Sequence, residues 1–198
     1  VTGATGDIRI QNGAAGNLTT TGAISTQGGS ITLASVSDLA IGANVTVSAS
    51  TGTISLTSDS NADNTRSFAQ TAGTISTNNG AISITNKGTG ALKLGAVTDT
   101  GGKNITITNE AGSILENASG SSLLTSGGTI SLLAGNTTKG STSVGTSGDA
   151  INTQGGTLTA TAGTGGIYID EADTATISTV AVTGATGDIR IQNGAAGN

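Results

Sequence analysis

An eight-residue pattern constrains this chain more than any other feature: an apolar residue, Gly at the sixth place, and usually a second apolar residue at the eighth. The copies are Val1-TGATGD-Ile8, Ile24-STQGGS-Ile31, Val47-SASTGT-Ile54, Ile75-STNNGA-Ile82, Val97-TDTGGKN-Ile105, Leu123-LTSGGT-Ile130, Ile151-NTQGGT-Leu158 and Val182-TGATGD-Ile189. From the second apolar residue a two-residue alternation begins, as in Ile8/Ile10, Ile31/Leu33, Ile54/Leu56, Ile82/Ile84, Ile105/Ile107 and Ile130/Leu132. A period of two places these residues on one face of a strand, with Thr and Ser filling the solvated face. Leu39/Ile41, Val45/Val47, Leu92/Leu94 and Ile167/Ile169 lie between these runs and predict a third short strand in some units.

Such a unit cannot bury its apolar face alone, but it can by stacking on its neighbours. The predicted fold is all-β: a parallel β-solenoid with no α-helix, in which Ile stacks on Ile from coil to coil and the hydroxyls form outward ladders. The eight recurrent glycines, Gly6, Gly29, Gly52, Gly80, Gly102, Gly128, Gly156 and Gly187, are expected at corners, supplying a positive φ that β-branched residues resist. The chain has no Pro, as suits strands paired on both sides, where a missing N–H would break a ladder.

A longer repeat encloses the octads. Residues 182–198 are identical to residues 1–17, VTGATGDIRIQNGAAGN, so the sequence returns to its start after 181 positions. Seven octad units fill that period, about seven coils. Residues 1–181 therefore read as one complete repeat and 182–198 as the start of the next, in a window onto a covalent tandem array. With rungs about 4.8 Å apart, one repeat advances roughly 34 Å.

Composition narrows the function classes. Without His or Cys there is no Ser-His-Asp relay, no Cys-His pair and no zinc site of the usual kind. Twelve acidic against seven basic residues give a net charge of −5 with no basic stripe, so a nucleic-acid partner is not expected. No run approaches the roughly 20 apolar residues of a membrane helix, so membrane insertion is not expected either. Only 10% of residues are charged and the apolar ones are periodic, a pattern of order rather than of disorder.

The GxIxI/L motif, seen in Gly6-Asp-Ile-Arg-Ile, Gly29-Ser-Ile-Thr-Leu, Gly52-Thr-Ile-Ser-Leu and Gly128-Thr-Ile-Ser-Leu, resembles the β-helical stalks of large secreted bacterial adhesins of the filamentous-haemagglutinin type. The resemblance covers essentially the whole chain. It implies an extracellular rod that holds a cell to a surface, to matrix or to another cell. Further copies of the repeat are the expected partners, joined covalently, with end-to-end or lateral association as another route. No enzyme activity and no cofactor are expected.

The longer steps between octads predict insertion loops, and two of these supply the candidates for an alternative reading as a glycan- or calcium-binding module on a rod. In the first, Asp59, Asn61 and Asp63 stand at alternate positions, like the start of a calcium loop in which several oxygens converge on a hard cation. Asn64 and Gln70 depart from the EF-hand pattern at its sixth and twelfth places. The second holds Tyr168, Asp170, Glu171 and Asp173. Paired carboxylates about 5 to 9 Å apart could act on a glycosidic bond; a charged turn is the plainer reading. Tyr168 and Phe68, the only aromatics, are candidates for stacking on a sugar. Thr-x-Thr pairs such as Thr106/Thr108 and Thr157/Thr159 resemble the hydroxyl arrays of ice-binding solenoids, but the uneven steps predict no regular lattice. Lys103 reads as a solvated corner charge.

Overall fold

The structure is a computed structural model and describes all residues except 1, 4, 14, 50, 64, 119–121, 126, 137–139, 185 and 194–198. Every pairing between named strands is parallel and joins one coil to another. Three short strands per coil build three faces. Face 1 holds Thr2–Gly3, Ile24–Thr26, Val45–Val47, Thr74–Thr77, Ala96–Asp99, Ser122–Thr125 and Ile151–Gln154. Face 2 is an eight-stranded sheet running from Ile8–Asn12 through Ile31–Ser35, Ile54–Ser58, Ile82–Asn86, Ile105–Asn109, Thr129–Ala134 and Thr157–Ala162 to Thr176–Val182. Face 3 holds Leu18–Thr20, Leu39–Ile41, Phe68–Gln70, Leu92–Leu94, Ile114–Glu116 and Ser143–Val144. The chain is thus an all-β parallel solenoid of about seven turns, with no helix among the described residues.

Like stacks on like down face 2. Ile8, Ile31, Ile54, Ile82, Ile105, Ile130 and Leu158 pair in one column, and Ile10, Leu33, Leu56, Ile84, Ile107, Leu132 and Ala160 in the next. From Ile31 to Leu158 the first column is buried, and each such side chain contributes about 1.5–3 kcal/mol on leaving water. Outward, Thr32, Ser55, Ser83, Thr106, Ser131 and Thr159 form a ladder of hydroxyls.

This register is unbroken until a single shift between Leu158 and Thr159, where the last strand joins. The uneven steps therefore do not disturb the lattice of face 2, contrary to the expectation from coil length. The extra residues leave at the corners. In the third coil they form the turn after Ser58, and in the sixth they form Gly145–Ala150, closed by an antiparallel bridge between Thr146 and Asp149.

Three octads are out of phase with the fold, the last because Val182 ends a face 2 strand and Ile189 pairs with Ile167. Val45, not Val47, stands between Ile24 and Ile75 on face 1, so that coil turns its corner with two more residues. Thr153, not Ile151, pairs with Leu123.

The corner glycines act differently from the expectation. Of the eight, only Gly102 and Gly156 have positive φ, at 76° and 74°. Four others, Gly29, Gly52, Gly80 and Gly128, are required by close approach. A Cβ at Gly29 would lie 2.2 Å from the Gly6 carbonyl oxygen, at Gly52 2.4 Å from that of Gly29, at Gly80 1.9 Å from that of Gly52, and at Gly128 2.4 Å from that of Lys103. Backbone stacks directly on backbone there, leaving no room for a side chain. Gly6, on the first coil, has nothing within 4 Å. Gly187 stands outside this column, facing Val182 and Gly166.

The step from Ile151 to Val182, read as the longest insertion, is wound as an additional short turn. Gly166–Glu171 pairs with both Ser143–Val144 and Ile151–Gln154, joining faces 1 and 3 into one fifteen-stranded sheet. Thr176–Val182 then follows on face 2, and Ile189–Asn193 pairs onto Gly166–Glu171.

Candidate functional site

Where the chain turns between faces, backbone pairing stops, and side chains from one coil receive the N–H groups of the next. Ser30 N–H donates to Asp7 Oδ1 at 2.7 Å, Thr53 N–H to Ser30 Oγ at 3.1 Å and Thr129 N–H to Asn104 Oδ1 at 3.0 Å. At the other corners Ser67 N–H donates to Asp38 Oδ1 at 2.8 Å and Thr74 N–H to Asn44 Oδ1 at 2.9 Å. These are the polar residues that sequence reasoning missed. Their signal was present: an Asp, Asn or Ser two places or fewer from a strand start, where such side chains prefer to bond local backbone.

The calcium candidates occupy this same kind of corner. Asp59 is fully buried, with φ +50°, a left-handed conformation that Asp tolerates better than most residues. Its N–H donates to the Ser37 carbonyl at 3.0 Å, and its carbonyl accepts from Ala62 N–H at 2.8 Å. Asn61 and Asp63 are exposed and bound to each other, Nδ2 donating to Oδ2 at 2.6 Å. The three residues split between the interior and the surface. No group of three or more carboxylates converges as a cation cage among the described residues. Beside this turn lies a groove of about 250 Å³ lined in part by Val36, Ser37, Asn61, Asp63 and Arg66.

The structure takes Phe68 out of the surface altogether. It is fully buried on face 3 between Leu39 and Leu92, filling the coil interior where the neighbouring coils use Leu. A ring in that place meets no ligand from outside.

Tyr168, Asp170 and Glu171 belong to a strand, not to an insertion loop, because Ile167 and Ile169 alternate inward onto Val144 and Ile151. Alternation then separates the two carboxylates. Asp170 points outward, 39% exposed and 3.9 Å from Arg190, whereas Glu171 points inward and is 4% exposed. Neighbours on a strand face opposite sides, so these two do not flank one bond as an acid and base pair would. Glu171 is a corner acceptor instead: Thr153 Oγ1 donates to Oε2 at 2.6 Å and Gly155 N–H to Oε1 at 3.1 Å. Asp173 also accepts from Gly155 N–H, at 2.8 Å. Two further buried carboxylates play similar parts. Asp99 accepts from Thr77 Oγ1 at 3.0 Å and from Lys103 N–H, and Glu116 accepts twice from Asn152, at 3.0 and 2.9 Å.

Tyr168 faces outward and carries the Arg190 guanidinium 5.7 Å from its ring centroid. Compared with known protein families, curated proteins and solved structures, the chain matches none. What the molecule offers a partner is therefore read from its surface: on face 2, from the second coil to the seventh, an outward side with no charged residue, made of Thr, Ser, Ala and Leu.

Proposed function

We propose that this chain is a repeat unit of an extracellular structural rod, the shaft of an adhesin or matrix fibre, working mechanically rather than as an enzyme. The observation that carries the reading is the register of face 2, which continues through coils of unequal length while the surplus residues are expelled to the corners. A rod whose hydrogen bonds run along its axis resists stretching and bending, because deformation strains many bonds of the ladder together. The recurrence of seventeen residues after 181 positions supports covalent continuation, with further copies of the repeat as the partners. The absence of Cys and Met suits an oxidising exterior.

Electron microscopy and fibre diffraction of the native polypeptide, with its denatured mass, test this. Rods with an axial rung of about 4.8 Å, built from a polypeptide of many multiples of 18.8 kDa, are expected. Globular particles near that mass would overturn the reading. Cells deprived of the repeats should lose attachment to their surface or to one another, and unchanged attachment would remove the adhesin half of the proposal.

A further inference from the structure

The two copies of the seventeen-residue segment sit on different faces. In the first, Ile8 and Ile10 stack on Ile31 and Leu33 in face 2, and Arg9 lies opposite Thr32, exposed. In the second, Ile189 and Ile191 stack on Ile167 and Ile169 in the joined sheet, and Arg190 lies opposite Tyr168. The place on face 2 that an in-phase winding would give to the second copy is taken by Thr176–Val182, paired with Thr157–Ala162.

We infer that each repeat winds a non-integral number of turns, so that consecutive repeats are rotated about the rod axis, and that Tyr168 secures this phase by holding Arg190. The cause lies in the short turn. From Leu158 to Ile177 the solenoid closes in 19 residues, against 28 from Ile130 to Leu158, because Gly166–Glu171 runs straight past the Gly145–Ala150 turn and serves two faces with one strand. The identical segment therefore arrives at a different face. There Arg190 meets the Tyr168 ring at 5.7 Å, the Asp170 carboxylate at 3.9 Å and the Ser147 carbonyl, to which Nη1 donates at 3.1 Å. Tyr168, the one aromatic outside the core, has a role as docking residue for the next repeat. A corner loop such as that following Ser58 would then trace a spiral along the array rather than a single row. This inference rests on the tandem-rod reading.

Disulfide trapping tests it, since the chain has no Cys of its own. In the phase described, Gln192 is the partner of Asp170. In an in-phase winding it would lie opposite Thr161, as Gln11 lies opposite Ala34. Two variants are compared, Asp170→Cys/Gln192→Cys and Thr161→Cys/Gln192→Cys, each in the 198-residue chain and in a chain of two consecutive repeats, with cross-linking read by mass spectrometry. Cross-linking of the first pair, with only a trace of the second, is expected; the reverse, or neither, overturns the phase shift. Adding Tyr168→Ala to the second pair is expected to raise its yield about fivefold, the weight of one cation–π contact. An unchanged yield would remove Tyr168 as the residue that secures the phase. Failure of the rod reading would appear in the microscopy and mass of the native chain, and leaves the cross-linking result standing.

Discussion

Asn86 and Asn109 lie one above the other at the buried corner that ends face 2, the Asn86 amide donating to Asn109 Oδ1 at 3.1 Å. Both are fully buried, and both also serve the backbone of the turn they close. Asn109 Nδ2 donates to the carbonyls of Gly90 and Ser113 at 2.9 and 2.8 Å, while its Oδ1 accepts from Gly112 N–H at 3.1 Å. One side chain thus ties two successive coils at the point where the sheet ladder stops.

Asn109→Ala is accordingly expected to cost about 2–4 kcal/mol, because it removes several bonds and strands buried backbone groups. Asn109→Asp should be no rescue, since a carboxylate would place an acceptor against the Gly90 and Ser113 carbonyls. Urea unfolding of both variants checks this. A loss under about 0.5 kcal/mol would mean that water replaces the amide in the corner.

The glycine column gives a sharper contrast. Gly80→Ala puts a methyl group where the Gly52 carbonyl oxygen stands 1.9 Å away, so a backbone must move, at about 1–3 kcal/mol. In the 198-residue chain Gly6→Ala, chemically the same change at the same place in its octad, meets nothing within 4 Å and should stay within about 0.5 kcal/mol of the parent. Equal effects at the two positions would show that conformational freedom, not stacking distance, selects Gly there.

Phe68→Ala is expected to cost about 3–5 kcal/mol through the cavity it leaves, whereas Phe68→Leu should cost under about 1.5 kcal/mol because Leu already fills the same place one coil away on either side. Thermal unfolding measures both. Binding to any surface should be unaffected by Phe68→Leu, and a loss of attachment without a loss of stability would return Phe68 to the list of contact residues.

The fold was legible because its signal is repetitive: Ile31/Leu33 through Ile130/Leu132 state the period-two alternation coil after coil, and one pattern sets both the strand and its register. The corners were less legible. Val47 and Val45 are equally good apolar residues, and only stacking on Ile24 and Ile75 decides between them. The glycines were found in sequence, but the reason for them lies in the carbonyl of the coil beneath, which no local reading contains. The candidate site residues were dispersed for a related reason. Asp170 and Glu171 look like one acidic group along the chain, yet alternation sends one outward and one inward once Ile167 and Ile169 are fixed as core. Nor could a linear reading tell which strand the second copy of the seventeen-residue segment lands on, since the short turn before it decides that.

That division makes Glu171 a structural rather than a contact residue, and a double-mutant cycle decides it. Thr153 Oγ1 donates to Glu171 Oε2 at 2.6 Å in a buried corner, and hydrogen bonds to a charged acceptor contribute about 1.5–3 kcal/mol. Thr153→Val and Glu171→Ala should each destabilise the chain, and the double variant should fall short of their sum by about that amount, because residues in direct contact do not add. Asp170→Ala with Glu171→Ala should be nearly additive instead, since the two side chains face opposite sides of the strand. If Glu171→Ala left stability untouched and weakened the proposed attachment, its carboxylate would belong to a binding surface, and this corner would have to open for a partner to reach it.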